Sequence, residues 1–251
     1  MVSRFFVLIF AAGACATAPA QQALVDRTNS APQATRALTP EERGDILMAR
    51  KMYREAIDTF QADTNKTAVL YNKMGIAYHQ LQQLDNAKKY YEMASKLNRK
   101  YAEALNNIGT VYYAKKSYRR AISYYKRALR ISDSASIYSN MGTAYFARKE
   151  YKLATDAYQE ALNRDPEVFE HKSNYGTLLQ DRNVEERARF HYYLAKMYAK
   201  SGRNELAMQY VRKCLEEGFK EKKKLEEDPE FEALRQTDEF KELMATEPRV
   251  L

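Results

Sequence analysis

The side chains best suited to chemistry are few and scattered. The histidines are His79, His171 and His191, and none stands in a recognised metal-ligand spacing with another ligand-type residue. The cysteines, Cys15 and Cys214, are too few for a disulfide framework or a zinc pair. Cys214 lies in Val211-Arg-Lys-Cys-Leu215, where a small residue is wanted, and reads as a buried small hydrophobe rather than a reactive thiol. There is no phosphate-cradling glycine loop and no Gly-x-Ser-x-Gly elbow. The many glutamates fall on charge-mixed faces, where solvation is their ordinary role. These residues predict no catalytic site, no metal and no cofactor, hence a protein that is not an enzyme.

One cysteine could still be modified. Met1-Val-Ser-Arg4 is a short positive start, Phe5–Phe10 is an apolar run too short to span a bilayer, and Ala18-Pro-Ala20 satisfies the small-residue cleavage rule. Residues 1–20 therefore read as a secretory signal cut after Ala20. Ala12-Gly-Ala-Cys15 resembles a bacterial lipobox, but lacks the Leu-type residue three places before the cysteine. Ordinary cleavage and lipidation at Cys15 both remain open. Either route predicts an exported protein of the periplasm or cell envelope, free or tethered at its N-terminus. Residues 21–38 lack periodicity and read as a disordered spacer.

The elements that must carry the rest are helices. With 8 Gly and 6 Pro in 251 residues, the chain has too few turn formers for an all-β protein. Thr39-Pro-Glu-Glu42 has the residues of a capping box, with proline at the first helical position. The sequence then repeats. Tyr71-Asn-Lys-Met-Gly75-Ile-Ala-Tyr78 returns as Leu105-Asn-Asn-Ile-Gly109-Thr-Val-Tyr112 and as Tyr138-Ser-Asn-Met-Gly142-Thr-Ala-Tyr145. Each glycine is followed by an alanine (Ala87, Ala121, Ala154) and, four residues later, a tyrosine (Tyr91, Tyr125, Tyr158). The glycines are 34 and then 33 residues apart.

This period and pattern resemble the tetratricopeptide repeat. The resemblance covers most of residues 39–218 and implies an all-α fold: a right-handed solenoid of antiparallel helix pairs. Units are expected at about 39–67, 68–101, 102–134, 135–168, a degenerate 169–187 and 188–218, with a helical cap over 219–251. Residues 167–182 are either an orphan helix or an irregular insertion. Gly75, Gly109, Gly142, Ala87, Ala121 and Ala154 are expected where the helices of a pair cross, because small side chains let backbones approach. Tyr78, Tyr112 and Tyr145, with the later tyrosines, are expected to fill the space between one pair and the next.

In the family the first helix of each pair lines a concave groove that binds peptides. The resemblance places Asn72, Ile76, His79, Asn106, Thr110, Tyr113, Ser139, Thr143 and Phe146 on that surface. This uncharged lining suits an extended or helical segment. Family members that clamp the C-terminal carboxylate of heat-shock chaperones use lysine and asparagine at set places. Asn72, Asn106 and Ser139 stand where the lysine would be, and Ile76, Thr110 and Thr143 where the asparagine would be, so that ligand class is not expected.

The formal net charge is +8. Twelve cations between Lys88 and Arg130 face only Glu92 and Glu103 within that stretch. Such a surface could steer an acidic partner or anionic lipid, or be a solvated outer face. The reading that results is a scaffold of the bacterial envelope with a protein or peptide partner and no nucleic acid. A holdase for unfolded exported clients and an accessory subunit of an envelope enzyme are the alternatives.

Overall fold

The computed structural model describes residues 36–169 and 184–245. The signal at 1–20, Cys15, His171, most of the spacer and most of 167–182 lie outside them. All described elements are helical, and they belong to one unit beginning at Pro40. They form an α-solenoid of antiparallel pairs: α1 (Pro40–Ala49) with α2 (Tyr53–Ala62), α3 (Ala68–Gln80) with α4 (Leu84–Leu97), and α5 (Ala102–Ala114) with α6 (Tyr118–Leu129). Next come α7 (Ala135–Ala147) with α8 (Tyr151–Arg164), and α9 (Val184–Lys200) with α10 (Asn204–Glu216). A cap follows, made of α11 (Lys223–Glu227), a 3-10 turn (Pro229–Phe231), α12 (Glu232–Arg235) and α13 (Asp238–Ala245).

Local signals account for the helix ends. The Thr67 hydroxyl accepts the Leu70 N–H at 3.0 Å and opens α3. The first helix of each pair closes on a Schellman turn, in which the third N–H beyond the helix reaches back five residues, as Gln83 does to the Tyr78 carbonyl at 2.9 Å. The turn needs one left-handed residue. Only the last pair supplies glycine, Gly202 at φ 75°; the earlier ones use Lys51, Gln82, Lys116 and Lys149 at φ 57–63°.

Packing within a pair is set by the glycines. A Cβ on Gly75, Gly109 or Gly142 would meet the ring of Tyr91, Tyr125 or Tyr158 at 2.5–2.6 Å. Those tyrosines pack first within their own pair: each lies against the glycine of that pair and is almost wholly buried, and Tyr158 also reaches Phe190 of the next pair at 5.6 Å. Ala87, Ala121 and Ala154 are buried beside them. Tyr78 and Tyr112 are half-buried and stack on Tyr90 (5.1 Å) and Tyr124 (5.4 Å), again inside the pair, while Tyr145 is buried.

The array changes sense at its fourth joint. Joints 98–101 and 130–134 are short, so α5 and α7 return antiparallel to the helices before them. Before α9, residues 165–183 intervene, and α9 runs in the same sense as α8. Near its start Arg189 donates to the Tyr151 hydroxyl at 3.0 Å, and beyond its end Arg203 donates to the Pro166 carbonyl at 2.6 Å. Rings seal the junction: Phe146, Tyr158 and Phe190 meet edge to face at 5.6–5.9 Å. The α9 helix starts at Val184, ahead of the 188 boundary and within the segment read as degenerate.

The cap is bolted to α9. Tyr192 stacks on Phe219 at 4.7 Å, and its hydroxyl donates to Asp228. Lys196 reaches Asp228 at 2.9 Å and Glu230 at 3.1 Å. Burial opposes the Asp228 charge, but these donors hold its carboxyl below the usual range. Cys214 is fully buried in α10, and burial pushes its thiol well up. It behaves as a packing group.

Candidate functional site

The inner face of the array belongs to the first helices, because α3 touches α5 and α5 touches α7. Much of the expected groove lining turns out to be spent there on joining one repeat to the next. Asn72, Asn106, Thr110, Thr143 and Phe146 are buried, at 2–5% exposure. The amides form a thread across three helices. Asn107 donates to Asn72 at 3.0 Å, Asn106 to Asn107 at 3.3 Å, and Asn140 to Asn106 at 3.0 Å. The hydroxyls turn back onto their own helices: Thr110 donates to the Asn107 carbonyl at 2.8 Å and Thr143 to the Ser139 carbonyl at 2.9 Å.

Asn72, Asn106, Thr110 and Thr143 are thus packing groups rather than ligand lining, while Phe146, though buried, also borders a cleft. The cause is the packing of successive first helices against one another. Asn106 does border a small hollow of about 90 Å³ with Ser132, Ser134 and Ser136. The sequence missed Asn107 and Asn140, the other half of the thread. Their signal was an amide two places before Gly109 and Gly142, where Lys73 precedes Gly75.

Ile76, His79, Tyr113 and Ser139 remain half-exposed. His79 lies edge-on to Tyr91 at 6.5 Å, and burial lowers its pKa. Tyr113 and Phe146 come together at the end of the inner face, in a cleft of about 130 Å³ between the ends of α5 and α7 and the start of α9. Tyr118 and Tyr151 complete its ring-lined wall, with Tyr113–Tyr118 at 5.2 Å and Phe146–Tyr151 at 5.3 Å. Lys116 and Lys149, two of the left-handed turn residues, stand at its mouth with Glu186 and Arg189. The cleft exists because α9 arrives in reversed sense beside α7.

The cationic stretch lies mainly on the second helices. Arg127 sits over the Tyr124 ring at 4.7 Å, and Arg120 over Tyr112 at 5.6 Å. Among the described residues no group of His, Cys, Asp and Glu could hold a metal ion, and no helix is long and apolar enough to cross a membrane.

Comparison with known proteins agrees with this architecture. Residues 104–246 match the family described as the fourth ARM domain of tetratricopeptide repeat protein 21, and residues 68–101 match a tetratricopeptide repeat. The first match covers more than half of the chain, which belongs to this family of tetratricopeptide-repeat helical arrays. Among curated proteins it is 32% identical over 95 residues to the tetratricopeptide repeat domain-containing protein PYG7, chloroplastic, of Arabidopsis thaliana, covering 35% of this chain and 32% of that one. It is 31% identical over 112 residues to the uncharacterized protein ycf37 of Pyropia yezoensis, covering 39% and 63%. The chain thus spans less than two thirds of the curated relatives it matches.

Among solved structures, the Cut9-Hcn1 assembly of the APC/C superposes with TM-score 0.50 at 19% identity, covering 82% of this chain and 35% of that one. MamA superposes with TM-score 0.48 at 21% identity, covering 73% and 96%. The Cut9-Hcn1 likeness is one of fold. Tetratricopeptide-repeat proteins generally bind protein partners, and the fold supports a protein-protein interaction scaffold.

Proposed function

We propose that this protein is a non-catalytic scaffold of the bacterial cell envelope that captures a polypeptide segment at the ring-lined end of its inner face. The observation that carries the reading is the cleft at Tyr113 and Phe146. It is recessed, ring-lined and built from five helices, α5 to α9, whereas Asn72, Asn106 and Asn140 elsewhere on the inner face are tied up in the asparagine thread. A rigid recess with aromatic walls suits one side chain of a partner and leaves the ordering cost of binding low. The export reading rests on the signal at residues 1–20, and the lipid tether on Cys15.

The test is crosslinking in the native host of the full-length protein carrying a photoreactive residue at Ala147, followed by identification of what is attached. One recurrent stoichiometric partner supports the scaffold. Many unrelated clients would make it a holdase, and a small-molecule substrate turned over by the purified protein would overturn the non-catalytic reading.

A further inference from the structure

The cleft does not end at its aromatic wall. It shares Lys116 and Tyr118 with a wider, shallower depression of about 560 Å³, lined also by Ser117, Arg119, Arg120 and Arg148. Among the described residues Lys116, Arg119 and Arg120 make no ion pair, while Arg148 is held by Glu150 at 2.8 Å. Residues 115–130 contain seven cations and no carboxylate. A ring-lined recess therefore opens onto a floor that carries three cations, Lys116, Arg119 and Arg120, with no ion pair among the described residues.

We propose that the two together bind an acidic protein segment carrying one large apolar or aromatic side chain. The proposal rests on the scaffold reading above and specifies its ligand. The anchor enters between Tyr113, Tyr118, Phe146 and Tyr151, and the flanking carboxylates lie across Lys116, Arg119 and Arg120. Charge-assisted bonds to guanidinium groups are short and directional, so the floor selects for acids. The recess takes one anchor, as interface hot spots do. A membrane would need apolar groups that project. The large exposed hydrophobics, such as Leu97, Ile131 and Leu153, line neither cavity.

The experiment measures fluorescence anisotropy with the full chain and three labelled twelve-residue peptides. The first combines Asp, Glu and Gly with one Phe; the second replaces the acids by Asn and Gln; the third replaces Phe by Ala. The first peptide should bind at least tenfold more tightly than either control and weaken steeply with added salt. The double variant Lys116→Glu/Arg120→Glu, with unchanged circular dichroism, should lose at least tenfold. Ala147→Leu, which narrows the recess, should abolish the preference for Phe.

Equal binding of the acidic and amide peptides, or indifference to the double variant, overturns the proposal. So does cosedimentation with phosphatidylglycerol vesicles, abolished by the double variant, when no peptide binds. If the native partner still crosslinks to the double variant undiminished, the scaffold stands and this site falls. Loss of that crosslink supports the site.

Discussion

Gly142→Ala adds one methyl group at the tightest kind of contact in the fold. The new Cβ would stand 2.6 Å from two carbons of the Tyr158 ring and 3.2 Å from the Ala154 carbonyl oxygen. Carbon atoms at rest are about 3.5–4.0 Å apart, so the ring must recede by about 1 Å. It has no room to do so. Tyr158 is fully buried, meets Phe169 and Phe190 edge to face at 5.4 and 5.6 Å, and donates from its hydroxyl to Thr143 at 3.3 Å.

Overpacking costs about 1–3 kcal/mol. Losing the hydroxyl bond adds about 1 kcal/mol, and alanine's better helix propensity returns about 1 kcal/mol. The net loss is about 2 kcal/mol, or roughly 4–8 °C in Tm for a unit of this size. Circular dichroism melts at 222 nm read the shift directly. Gly142→Ala/Tyr158→Leu, in which the ring is gone, should be less unstable than the sum of its two single variants. A Gly142→Ala protein that melts at or above the wild type, or strict additivity, would refute the glycine–tyrosine account.

The remaining predictions concern the inner face. Asn106→Ala cuts the amide thread in the middle and strands its buried neighbours, so the urea midpoint should fall by the equivalent of about 1–3 kcal/mol. An unchanged midpoint with partner capture lost would return Asn106 to the ligand surface. His79 titrates below its ordinary value because it is buried, so below about pH 6.5 the unfolded chain takes up a proton that the folded one resists. Its contribution to stability is complete above that pH and is lost as the pH falls. His79→Gln should flatten part of the decline in urea midpoint between pH 7 and 5, with His191, also lowered by burial, responsible for another part. An identical slope in the variant would place His79 in water.

The helical pairs were legible in the sequence because their signal is local and recurrent. A glycine, an alanine and an aromatic at fixed offsets can satisfy only one crossing geometry, and three near-copies repeat it. The sense of α9 was not legible, since it shows only in contacts between distant residues, Arg189 with Tyr151 and Arg203 with Pro166. The groove was misread for a related reason. Position along a helix says which way a side chain faces, but its burial depends on how closely the next helix approaches. Asn72 and Ile76, one turn apart on the same helix, differ in this way: the first is sealed against Asn107, the second half-open. Lys116 shows the reverse. Its charge was evident, but its place at the mouth of a recess needed Phe146 and Arg189 brought beside it from distant segments.

The asparagine thread also bears on how the molecule deforms. It stitches α3, α5 and α7 along one margin and ends at Asn140; beyond it α7 meets α9 through rings, which slide more readily than paired amides. The array is thus like a book bound along part of its spine. Bending spreads the outer helices of the sewn part without parting the inner ones, whereas at the unsewn joint it moves the inner margin itself. Load applied along the superhelix would be taken up at that joint, where Phe146 faces Phe190 and Tyr193, before the sewn ones.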